Sequence, residues 1–215
     1  QWQSGVPRSP FRSRVRIDPE RRIASYKVAY VSPSDSKRCP ATRAVELLHE
    51  LAGFEPGALT SVANEGDRTL SFHVELAQFA IGDLRARVGV HCASGPVYFA
   101  ETRRRTLQDA AAVVFVPSLV AGRENDTLEL AEWLATDLEH LGVRPSELPL
   151  LLQWLPGDTR PEVSPRALAK RLVLPFRGSF VTDRNTGEAI AAALFEGLRL
   201  ARRAHLEALA STEGG

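Results

Sequence analysis

The chain has no methionine, only two cysteines and almost no net charge. Two cysteines in 215 residues make no disulfide framework, which points to a reducing, cytoplasmic setting. A formal charge of +1 argues against a dedicated nucleic-acid binder. No apolar run approaches the roughly 20 residues that cross a bilayer, so no transmembrane segment is expected. No apolar signal-peptide core stands near the start either. Methionine is missing even at position 1, so the start reads as processed or trimmed and is set aside from fold reasoning. What is present is ordinary for one domain with a sizeable core: 44% hydrophobic and 25% charged residues.

Residues 1–22 are rich in Arg, Pro and Ser and poor in apolar material, the composition of a flexible tail. Docking of that arginine-rich tail on an acidic partner is the alternative. The domain is expected over 23–210, with a flexible end at 211–215. From Ile23 onward the pattern alternates. Strands are predicted over 26–31, 70–76, 84–91, 112–117, 148–155 and within 172–181. Helices are predicted over 41–51, 126–141, 165–171 and 186–209. Gly82-Asp83 marks a turn between the second and third strands, a possible hairpin, and Asp126 reads as a helix N-cap. The run Ala112-Val113-Val114-Phe115-Val116 is apolar throughout, as in a parallel strand buried on both faces. The expected class is α/β: a mostly parallel central sheet, helices on both faces and one antiparallel strand pair.

The segment after the first strand, Val31 to Thr42, has the position and length of a phosphate-binding loop but not its residues. Such a loop reads G-x-x-x-x-G-K-[ST], where the glycines let amides face the phosphates, Lys reaches the β- and γ-phosphates and the hydroxyl holds Mg²⁺. Aligned on the strand end and helix start, Ser32 and Lys37 replace the glycines, Arg38 the lysine and Cys39 the hydroxyl. Both glycine replacements carry a Cβ. Arg38 is a planar fork, not a compact ammonium. Cys39 is a poor ligand for hard Mg²⁺. Asp35 places negative charge among the amides, and Pro40 offers no amide hydrogen at the helix start.

Four further motifs follow in order: Glu65-Gly66-Asp67-Arg68-Thr69-Leu70, Gly82-Asp83-Leu84-Arg85, Gly95-Pro96-Val97-Tyr98-Phe99 and Val113-Val114-Phe115-Val116. Their order and approximate spacing resemble the MglA family of small Ras-like GTPases of bacterial gliding motility and cell polarity, from about Ile23 to Leu206. The resemblance implies a Ras-like P-loop fold. It puts Arg68 at the place of an arginine finger supplied in cis and Thr69 at that of a Mg²⁺ ligand. Gly95 holds the place of the glycine that senses the γ-phosphate. Pro96 stands where a glutamine orients the attacking water, and proline has no group to do so. Of the guanine-reading N-K-x-D motif only Asp158 remains.

Loss of so many groups at once implies a pseudo-GTPase with no cofactor and no catalytic residues. The degenerate pocket would comprise Ser32, Asp35, Lys37, Arg38, Cys39, Thr69, Cys92, Gly95, Pro96 and Asp158. By resemblance, partners are proteins, such as a roadblock-type (MglB-like) regulator or other motility or polarity components. Asp67, Arg68, Tyr98, Phe99 and Arg103 are the candidate contacts. Arg103-Arg104-Arg105 otherwise reads as a solvated helix face. The alternative is a divergent GTPase that still binds GTP or GDP with Mg²⁺, Arg38 serving as phosphate cation and a partner completing the site. The resemblance also brings Cys39 and Cys92 together at the family's Mg²⁺ site. They read first as two small buried hydrophobes. A disulfide, a soft-metal site with His91, or a thiol-based sensor are the sharper alternatives.

Overall fold

The computed structural model describes residues 10–33, 39–51, 54–64, 67–94, 100–155, 163–182 and 188–213. Among the described residues, eight strands form one sheet. In chain order they are β1 (Arg16–Asp18), β2 (Ile23–Val31), β3 (Thr60–Asn64), β4 (Asp67–Glu75), β5 (Arg85–Ser94), β6 (Ala112–Phe115), β7 (Leu150–Trp154) and β8 (Gly178–Val181). The helices are α1 (Pro40–Glu50), α2 (Ala100–Leu107), α3 (Glu124–His140), α4 (Pro165–Ala169) and α5 (Glu188–Glu213). Across the sheet the order is β3-β4-β5-β2-β6-β7-β8. β5, β2, β6, β7 and β8 run parallel to one another, and β4 pairs antiparallel with β5. The predicted α/β class and its antiparallel pair are therefore present.

The apolar runs explain the layering. Side chains alternate across a strand, so a strand covered on both faces must be apolar at every position. In β2, Ala24, Tyr26, Val28 and Tyr30 enter one core, while Ala29 and Val31 enter the other. β6 divides the same way, with Val114 on the first side and Val113 and Phe115 on the second. The first core is closed by α1 (Ala41, Ala44, Val45, Leu48) and α5 (Ile190, Leu194, Leu198, Ala201), each at helical spacing. The second is closed by Leu107 of α2, Leu130, Leu134 and Leu138 of α3, and Leu168 of α4. Each fully buried leucine contributes about 1.5–3 kcal/mol. α5 approaches the sheet so closely that a Cβ on Gly197 would lie 2.9 Å from the Ala112 Cβ.

Several expectations need correction. The flexible tail was predicted to run to residue 22, yet Arg16–Asp18 pairs antiparallel with β2 and Val15 is buried. β1 occupies the edge of β2 at Ile23 to Ser25, and β6 takes over that edge from Val28. Ser13 Oγ also lies 2.7 Å from His205 Nδ1 of α5. Backbone pairing and these contacts outweigh a composition that looks solvated; residues 1–9 lie outside the described set. At the other end α5 continues to Glu213, beyond the predicted boundary. β3 was not anticipated; it pairs antiparallel with β4 at the sheet edge. Asp126 is not the N-cap of α3. Arg123 holds that position, and Asp126 accepts a hydrogen bond from its guanidinium at 2.6 Å. Gly142 does lie just past α3, at φ +69°, where a Cβ would be strained.

Candidate functional site

The C-terminal ends of β2 and β5 and the start of α1 meet at one point. β5 runs beside β2 with Cys92 opposite Tyr30, and Ser32 follows directly after β2. Cys39 is the residue before α1, in an extended conformation as Pro40 requires of its predecessor. Pro40 is well placed at the first helical position, where its missing amide hydrogen costs nothing. The next amide, that of Ala41, donates to Ser32 Oγ at 3.2 Å. The same hydroxyl lies 2.8 Å from Cys39 Sγ. Thr42 Oγ1 lies 3.8 Å from Cys92 Sγ. Ser32, Cys39, Thr42 and Cys92 are all buried. The chain thus meets the polar groups at the start of α1 with its own atoms.

The two cysteines are free thiols in contact. A hydrogen bond from Cys92 is the largest influence on Cys39 and brings its thiol down to about 6. Burial acts in the opposite direction, and the Ser32 and Thr42 hydroxyls and the Thr42 amide reinforce the lowering. Beside them the Tyr30 hydroxyl is fully buried and has no hydrogen-bond partner among the described residues. Burial pushes its pKa up, and the neighbouring Cys92 adds to the shift. Two thiols with two hydroxyls fall short of a closed zinc site. No group of three metal-ligating side chains occurs among the described residues.

His91 does not join the cysteines. Successive side chains of β5 face opposite sides, and the His91 ring instead makes an edge contact with His73 at 5.9 Å between centroids. Its pKa is lowered to about 4, chiefly by burial and then by the charges of Lys27 and His73. Gly89 makes room for both rings, since a Cβ there would meet His91 Nε2 at 2.9 Å.

The remaining predicted residues divide into three groups. Thr69 is half-buried in β4 opposite Ala93, one position from the Leu70–Cys92 pair. Asp67 and Arg68 open the same strand. Asp35, Lys37, Arg38, Gly95, Pro96, Tyr98, Phe99 and Asp158 lie outside the described residues. Arg103 corrects an expectation. It is buried, not presented to a partner, and pairs with Asp137 of α3. Asp137 is itself 2% exposed and also takes Arg104 Nε at 2.8 Å. The Arg103 guanidinium stacks over Trp133 at 5.2 Å. A basic triplet reads as solvated because its buried acceptor lies more than thirty residues away. Thr42 was also missed. Its position three residues after Cys39, at a helix start, is the signal that could have found it.

No family model matches the chain. It is 25% identical over 155 residues to the mutual gliding-motility protein MglA of Myxococcus xanthus, covering 70% of this chain and 77% of that protein. Among solved structures it resembles the Arl6 BBS3 small GTPase of Trypanosoma brucei, determined with the bound nucleotide analogue GppNp. The TM-score is 0.54 at 14% identity, over 83% of this chain and 98% of the other. The fold is that of the small Ras-like GTPases. No helix of the described residues is long and apolar enough to cross a membrane.

Proposed function

We propose that this chain, with its small-GTPase fold and its similarity to MglA, is a cytoplasmic pseudo-GTPase that works through protein–protein contacts in a motility or polarity system. One observation carries the proposal. A phosphate-binding helix start needs free amides aimed at the anion. Here Pro40 has none, and the Ala41 amide is already taken by Ser32 Oγ. The Cys39 thiol, directly before α1, tends toward negative charge, which opposes a phosphate. The sequence adds Pro96 in place of the water-positioning glutamine, and Leu155-Pro156 in place of the Asn-Lys of the base-reading motif. A roadblock-type, MglB-like protein is the first partner to try, with Asp67, Arg68, Tyr98 and Phe99 as contacts. The test is calorimetry of the reduced chain with GTP and with GDP in the presence of Mg²⁺. No heat of binding is expected, and no nucleotide should elute from the purified protein. Micromolar or tighter binding of either nucleotide would refute the proposal.

A second reading has a specific feature behind it. Asp67-Arg68-Thr69 is retained, and Thr69 stands beside the pair that ends at Cys92. A divergent GTPase completed by a partner would keep these residues. Under that reading, phosphate release appears only when the partner is added, and Arg68→Ala removes it.

A further inference from the structure

The geometry points to Cys39 and Cys92 as an oxidisable dithiol, in which a peroxide converts the pair into a disulfide joining the start of α1 to the end of β5. Three features of the site support this. Both sulfurs converge on the start of α1: Cys39 Sγ lies 2.8 Å from Ser32 Oγ, Cys92 Sγ lies 3.8 Å from Thr42 Oγ1, and a hydrogen bond links the two thiols. The pair is asymmetric. Cys39 retains 9% of its surface while Cys92 has 0%, so Cys39 meets the oxidant and Cys92 waits behind it. Finally, the hydrogen-bond donors surrounding Cys39 favour its thiolate, the form that attacks.

The chemistry balances with one peroxide. The Cys39 thiolate attacks one peroxide oxygen and breaks the O–O bond, giving a sulfenic acid and a hydroxide that takes up a proton to leave as water. The Cys92 sulfur then attacks Cys39 Sγ, and the S–S bond forms as hydroxide departs with the Cys92 proton as a second water. Both sulfurs are oxidised and both peroxide oxygens are reduced. Dithiothreitol reverses the change by thiol–disulfide exchange. The product ties a helix to a strand far away in sequence, directly before the segment that resembles the family's second switch.

The experiment uses the full reduced chain, freed of reductant and given hydrogen peroxide in small excess at neutral pH. Intact mass should show loss of both thiol hydrogens, and peptide mapping should find Cys39 linked to Cys92 within one chain. In Cys92→Ala, dimedone should trap a sulfenic acid at Cys39. In Cys39→Ser, Cys92 should react at least about tenfold more slowly than Cys39 does in Cys92→Ala. Two titratable thiols remaining after the dose would overturn the inference, as would links formed only between chains. The wild-type mass measurement decides the matter even if a variant folds poorly. Nucleotide binding by the reduced chain would defeat the proposed function and leave this result standing.

Discussion

Asp137 offers a test of how the helix after β5 is held. Replacing it with alanine leaves the Arg103 guanidinium buried and without its carboxylate, since the two side chains are 11% and 2% exposed. Removing one partner of such a pair costs about 3–5 kcal/mol. Arg104 is 39% exposed, and its share is about 0–1 kcal/mol. The Trp133 ring still faces Arg103 after the substitution and retains about 1 kcal/mol of attraction. The expected net loss is about 3 kcal/mol, a large part of the roughly 5–15 kcal/mol that stabilises a typical domain. Urea denaturation followed by tryptophan fluorescence measures it: the midpoint should fall and the slope should stay unchanged. In a melt the same loss appears as about 6–12 °C. Arg103→Ala should couple to Asp137→Ala more strongly than Arg104→Ala does in double-mutant cycles. A loss under about 1 kcal/mol, or equal coupling to both arginines, would show that burial of this pair has been misjudged.

Two other outcomes follow from the packing and the electrostatics. Gly197→Ala gains about 1 kcal/mol of helix propensity but drives a methyl into Ala112 and Leu151, which costs about 1–3 kcal/mol. The melting temperature should fall, and a rise would mean α5 has slack that the close contact denies. For His91, the folded pKa of about 4 lies below the ordinary 6.5. Between those values the unfolded chain binds more protons than the folded one, so stability declines as pH drops through the window. His91→Gln should flatten that limb of a denaturant-midpoint profile; an unchanged slope would assign the acid sensitivity to other groups.

The sequence disclosed those parts of the fold whose signal is local. Ala112-Val113-Val114-Phe115 reads as a doubly buried strand because both its faces are covered, and it is one. Gly142 marks the end of α3 because only the backbone at that position decides. β1 and β3 were invisible because their residues are largely exposed and polar, and their identity depends on the strand alongside. The cysteine pair was reached through family resemblance, and the structure supplies the contact that makes it a pair. Spacing alone does not reveal that Ser32 would take the Ala41 amide, because a hydroxyl nine residues earlier carries no periodic signal. The inward turn of Arg103 was hidden for a similar reason. Three arginines in a row say nothing about a carboxylate on another helix.

α2 is held from two sides. Arg103 and Arg104 reach Asp137 of α3, and Lys27 Nζ of β2 donates to the Arg105 and Gln108 carbonyls at 2.9 and 2.8 Å. Shifting α2 away from α3 strands the buried Asp137, at a cost of about 3–5 kcal/mol. A shifted arrangement is therefore populated at about 1% or less in the isolated chain. Any partner that selects it must bind it at least about a hundredfold more tightly than the resting form just to make the two equal. Partners that accept α2 where it stands bear no such cost.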